Sequence, residues 1–143
     1  MSAEQRSPDE VVLAYIEAWN TPDEQARRDL LDRCWADDGT YTDPISEVQG
    51  KEALVAHIGR FLSEGPYGRG PGHRIPVASG VNHHHGMIRF SWALLDPHGA
   101  SISQGLDFGE LAEDGRLRRI TGFFGPPPPM PDDWPDHLVW HGD

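Results

Sequence analysis

Helix-start signals and strand signals occupy different halves of this chain, and that segregation limits the fold more than any other feature of the sequence. In Ser7-Pro8-Asp9-Glu10 a serine precedes a proline and is followed three residues on by a glutamate, the pattern of a capped helix start, and Thr21-Pro22-Asp23-Glu24 repeats it. The first helix carries Val12, Tyr15, Ile16 and Trp19 on one stripe, and the second carries Leu30, Leu31, Cys34 and Trp35. A third begins near Gly50, places Leu54, Ile58, Phe61 and Leu62 at helical spacing, and ends at Gly65-Pro66. A short β-prone piece, Gly39 to Asp43, runs into an Asp43-Pro44 turn. Four strand candidates follow at 73–81, 86–95, 101–111 and 117–124, with Asp96-Pro97-His98-Gly99 and Glu113-Asp114-Gly115 as turns between the last three. Helices first and strands afterwards predict an α+β domain whose three helices pack on one face of a curved, mostly antiparallel sheet.

The segment from Ser101 to Leu111 reads as one long strand with an ionisable residue in its middle. Side chains alternate across a strand, so Ser101, Ser103, Gly105, Asp107 and Gly109 share one face, while Ile102, Gln104, Leu106 and Phe108 share the other. Small residues on both sides of the Asp107 carboxylate predict unfilled volume around it, and a concave volume with one placed polar group suits a small molecule. The plainer alternative puts Asp107 on the solvent side of a half-buried sheet.

Charge and composition remove several function classes. A chain of 143 residues builds one core, and its net charge of -11, with only 12 scattered Lys and Arg, argues against nucleic acid and anionic membranes as partners. Cys34 is the only cysteine, which excludes an internal disulfide; on the apolar stripe of the second helix it reads as a small buried hydrophobe. A basic-then-apolar leader and an apolar run of membrane-spanning length are both missing from the sequence, so a cytoplasmic location is expected. His83 and His85 lie two apart and face the same way, with His73 or His57 as possible companions, but a third defined ligand is lacking and no metal is expected. Beyond Pro126 to Pro129, the tail carries Trp134, Leu138, Val139 and Trp140. Four large apolar residues predict docking beside a pocket mouth or on a second subunit; a plain linker is the alternative.

Three helices, the Asp-Pro turn after Cys34-Trp35-Ala36-Asp37-Asp38-Gly39-Thr40-Tyr41-Thr42, and a meander ending in Asp114-Gly115-Arg116-Leu117 and Gly122-Phe123-Phe124 resemble the nuclear transport factor two-like superfamily, in its SnoaL-like and ketosteroid isomerase-like branch. The resemblance covers about residues 8 to 125 and implies a cone-shaped fold enclosing a pocket, with 1–125 as the domain and 126–143 as a proline-rich tail. In ketosteroid isomerases the catalytic base stands just before a proline after the second helix, where this chain has Asp43. The oxyanion-hole tyrosine lies in a Tyr-Ile-Glu setting on the first helix, here Tyr15-Ile16-Glu17, and a protonated aspartate lies on a strand ahead of the Asp-Gly-Arg turn, here Asp107. Two departures are visible: Trp35 and Ile58 stand where supporting tyrosines would be expected. In the SnoaL-like cyclases the strand carboxylate is the base instead, so the two branches assign Asp107 opposite duties.

What the resemblance implies is carboxylate-assisted proton abstraction next to a carbonyl, as in isomerisation or an intramolecular aldol cyclisation, without a cofactor, in a homodimer. The ligand would be a small apolar organic molecule. Asp43, Asp107 and Tyr15 would carry the chemistry, with Trp19, Trp35, Phe90, Trp92 and Phe124 lining the pocket or else filling the core. A non-catalytic ligand-binding or dimerisation module of the same fold is the competing class. For Asp107 to stay protonated at neutral pH its pKa must rise by more than about 3 units, roughly 4 kcal/mol of penalty on the charged form, which only a dry pocket supplies.

Overall fold

Helix α1 (Pro8–Ala18) begins where its cap predicts: the Ser7 hydroxyl accepts from the Glu10 N–H at 3.1 Å. Helix α2 (Glu24–Cys34) is capped by Asp23, whose carboxylate accepts from the Ala26 N–H at 2.8 Å, and not by Thr21 as the sequence pattern suggests. Thr21 is already engaged, since its hydroxyl donates to the Glu17 carbonyl at 2.7 Å and closes the end of α1. The chain then passes directly into strand β1 (Trp35–Asp43), so Trp35 belongs to the sheet rather than to the stripe of α2. The computed structural model describes residues 6–142.

After β1 come β2 (Ser46–Gln49), α3 (Lys51–Glu64), β3 (Asn82–His84), β4 (Met87–Leu95), β5 (Ser101–Leu111) and β6 (Leu117–Phe124). The six strands form one open, curved sheet in the order β2-β1-β6-β5-β4-β3, antiparallel throughout except where β1 runs parallel to β6. The three helices cover its concave face, and Val12, Tyr15, Leu31, Leu54, Ile58, Phe90, Leu117 and Ile120 are buried between the layers. Among the described residues no helix is long and apolar enough to cross a membrane.

Two expectations about the strands need correction. Residues 73–81 do not form a strand: they run beside β4 through isolated bridges at Arg74 and Val77, because Pro76 has no N–H to continue a ladder. The small-residue face of β5 does point inward, with Gly105, Asp107 and Gly109 buried, but it is hollow only at Asp107, which borders a cavity, and is filled at the two glycines. The Trp92 indole lies directly over Gly105, where a Cβ would stand 2.3 Å from Trp92 Cζ2. Strand pairing explains this, since Trp92 and Gly105 are register partners and the large ring takes the space the glycine leaves.

The C-terminal segment also departs from expectation. Trp134, Leu138 and Trp140 are exposed, and among the described residues the hydrogen bonds and the ion pair of 130–142 are internal to that segment. Among the described residues, Val139 alone of the four apolar side chains expected to dock is half-buried.

Candidate active site

Three layers of structure meet around one cavity of about 300 Å³. Its back wall is the sheet, where Tyr41 and Asp43 of β1, Trp92 and Leu94 of β4, Asp107 of β5 and Phe124 of β6 face inward. Helix α1 contributes Tyr15, Ile16 and Trp19, and α3 contributes His57, Arg60, Phe61 and Glu64. Ile45, Ile75 and the turn from Gly65 to Gly68 complete its rim. Asp43, Asp107 and Tyr15 thus share one cavity.

The two carboxylates are neighbours because of register and a missing side chain. Asp107 on β5 pairs with Gly122 on β6, while Thr42 on β1 pairs with Thr121, which brings Asp43 alongside Gly122. A Cβ on Gly122 would lie 2.8 Å from Asp107 Oδ1 and 3.7 Å from Asp43 Cβ, so the glycine opens the space in which both acids stand. Asp107 is only 6% exposed, and among the described residues the one hydrogen bond to its carboxyl comes from Trp92 Nε1 at 3.0 Å. Burial pushes its pKa from 3.8 up to about 7 against the lowering effect of that indole, with the nearby charge of Asp43 adding a smaller push. Near neutral pH a large share of the molecules therefore carries a protonated Asp107.

Asp43 stands in a wetter place, half-buried at the end of β1. Its Oδ2 accepts from the Tyr41 hydroxyl at 2.6 Å and its Oδ1 from the Ile45 N–H at 2.9 Å, the second bond being the Asp-Pro turn that the sequence suggests. Both oxygens keep a further lone pair for a substrate proton. Among the described residues the Tyr15 hydroxyl has no hydrogen-bond partner although it is buried. Burial, assisted by the negative charge of Asp107, holds its pKa well above the usual tyrosine value, so it stays a donor across the physiological range.

The remaining expected pocket residues divide. Trp19, Trp92 and Phe124 line the cavity, and the Trp92 and Phe124 rings meet edge-on at 5.7 Å. Trp35 and Phe90 do not line it: both are fully buried in the core. Trp35 lies beneath the site, stacked on Tyr15 at 5.6 Å, and so fixes the Tyr15 ring at the cavity wall. His57, weighed in the sequence only as a companion of His83 and His85 for a metal, lines the cavity instead. Burial lowers its pKa in opposition to Asp43, and its ring lies 5.7 Å from Tyr41. Its place on the cavity-facing side of α3, one turn before Phe61, was the available signal. His83 and His85 sit at the exposed β3–β4 hairpin, and among the described residues no group of three metal-ligating side chains forms.

The family model of the SnoaL-like domain matches residues 12–120. A solved structure from Agrobacterium tumefaciens, assigned to the SnoaL-like family with isomerase as its suggested activity, is 30% identical over 81% of this chain and 95% of that one, at a TM-score of 0.71. A nuclear transport factor two-like protein of unknown function from Cytophaga hutchinsonii is 15% identical, covering 88% and 96%, at a TM-score of 0.62. A protein from Jannaschia suggested to be a SnoaL-like polyketide cyclase is 15% identical, covering 85% and 91%, at a TM-score of 0.56. No curated protein matches the chain.

Proposed function

The chain belongs to the SnoaL-like domain family, within the nuclear transport factor two-like superfamily, and on that footing we propose that its cavity binds a small, mostly apolar carbonyl compound and moves a proton at the adjacent carbon. The observation that carries this reading is the meeting in one cavity of the Asp43 carboxylate, the buried Asp107 and Tyr15, whose hydroxyl has no hydrogen-bond partner among the described residues. Asp43 takes the proton and the electron pair moves onto the carbonyl oxygen. Tyr15 and Asp107 donate hydrogen bonds to that developing oxyanion. Asp43 then returns the proton to another carbon, which is isomerisation, or the enolate carbon attacks a second carbonyl, whose π pair moves to oxygen and takes the proton back from Asp43, which is cyclisation. The isomerase activity suggested for the Agrobacterium protein supports the first outcome.

Deuterium uptake at the carbon next to the carbonyl of cyclic enones and β-diketones, followed by NMR, tests the proposal without knowledge of the natural substrate. Asp43→Asn is expected to slow exchange by roughly two to four orders of magnitude with little change in binding. A competing reading, a binding module without chemistry, draws on the two donors already held by Asp43. It predicts tight probe binding, no exchange in the wild type, and the same affinity in Asp43→Asn.

A further inference from the structure

The helix side of the cavity has no part in the proton transfer. On α3, His57, Arg60, Phe61 and Glu64 stand at i, i+3, i+4 and i+7, so one face of the helix borders the cavity. Arg60 is the only Lys or Arg among the described lining residues, in a chain whose 12 Lys and Arg are outnumbered by 23 Asp and Glu. Among the described residues its guanidinium makes no hydrogen bond or ion pair, whereas Arg28, Arg116 and Arg118 each reach a carboxylate, at 2.9, 2.8 and 2.9 Å.

The carboxylate nearest to Arg60 in sequence is Glu64, one turn further along the same face, and the two are not paired. Their order works against pairing, since a helix favours an acid four residues ahead of a base over the reverse, and both side chains are exposed to water. The sheet wall carries the Asp43 carboxylate and the buried Asp107. The cavity is therefore polarised, with acids on the sheet and a guanidinium on the exposed helix side. His57, one turn before Arg60, feels both ends: burial lowers its pKa most, Asp43 raises it, and Arg60 adds to the lowering.

We propose that the ligand of this cavity is an anion, a carbonyl compound bearing a carboxylate remote from its reacting carbon, and that Arg60 holds that carboxylate at the cavity edge. The inference rests on the proton-transfer reading for the direction of the ligand, carbonyl toward Tyr15 and Asp107 and adjacent carbon toward Asp43. A second negative group at that end would be repelled by Asp43, which leaves the helix side for it. There a planar guanidinium matches a carboxylate with two parallel N–H bonds. The net charge of -11 does not exclude an anion, because charges further away than about 10 Å are screened at ordinary salt and the guanidinium acts at contact.

Quenching of tryptophan fluorescence can follow binding, since Trp19 and Trp92 line the cavity. The probes are cyclohexanone carrying a carboxylate across the ring from its carbonyl, and the corresponding carboxamide, which has nearly the same shape without the charge. The full chain is expected to bind the carboxylate at least about tenfold more tightly, with a preference that shrinks as salt is raised. Arg60→Gln should bring the ratio of affinities to about one. Arg60→Lys should keep part of the preference, because the charge remains without the fork, and Glu64→Gln should increase it. A wild type that does not distinguish the two probes, or a preference that survives Arg60→Gln, would overturn the proposal. Deuterium exchange on the same two probes separates this site from the proton transfer. An Arg60-dependent preference with no exchange in either probe sustains the anion site and removes the proton transfer, whereas exchange without a preference does the reverse.

Discussion

Asp107 owes its proton to its immediate neighbours: one indole N–H, one glycine in place of a side chain, and no cation against it. As an oxyanion donor it works only when protonated, so kcat/KM should fall as pH rises through about 7. In Asp107→Asn the amide still donates, and that descending limb should disappear from the pH profile. Were Asp107 the base, as the cyclase branch implies, the same limb would ascend with pH; the slope therefore separates the two roles. Tyr15→Phe removes a hydroxyl that none of the described residues bonds, so the fold should survive. Turnover measured by the same deuterium exchange should nevertheless drop by about two to three orders of magnitude, the usual cost of an oxyanion-hole donor.

Among the elements, α2 is tied to its neighbours by one buried cation. Arg27 is 4% exposed, and its guanidinium donates to the carbonyls of Thr21 at 2.9 Å, Pro22 at 3.1 Å and Val55 at 3.1 Å, joining α2 to the α1–α2 link and to α3. No carboxylate is needed, because three carbonyl dipoles solvate the charge. Burial lowers the pKa of Arg27 without bringing it near neutrality. Arg27→Ala would remove all three bonds and leave a void where the buried side chain lay, and should cost more than about 2 kcal/mol in urea unfolding. Loss of the α2 cap in Asp23→Ala should cost only about 1 kcal/mol, since that bond is exposed and water replaces part of it. Equal losses in the two variants would mean that the Arg27 contacts tie nothing together.

For the whole molecule, a carboxylic acid whose pKa is 3.8 unfolded and about 7 folded makes stability depend on pH in a known direction. The folded state holds the proton more tightly, so Asp107 imposes no penalty below about pH 4, and a penalty that grows between about pH 4 and 7 to roughly 4 kcal/mol. Asp107→Asn removes that dependence. Urea unfolding at about pH 5 and about pH 8 should show the variant gaining on the wild type at the higher pH. A constant difference between the two proteins would mean that Asp107 titrates normally in the folded state.

Local rules made the ends of the elements legible in advance. The Ser7 cap, the Asp43-Pro44 turn and the glycine turns of the meander each depend on a few adjacent residues, and period-two alternation placed Asp107 on the inward face of β5. Tyr15 and Asp43 stood out only through a family resemblance, because a tyrosine on an apolar stripe and an aspartate before proline have ordinary structural uses. What the sequence could not contain was depth. Whether an inward aromatic such as Trp92 or Phe90 meets the cavity or the core depends on how far along the sheet the helices reach, which pairs residues distant in sequence. Residues distant in sequence likewise decide that Gly105 is covered by an indole, that His57 meets the site, and that Arg27 lies among carbonyls from two other segments. By itself the sequence determined an α+β chain with three polar candidates. The packing of three helices on one curved sheet decided which of its aromatic residues surround them, and how dry Asp107 is.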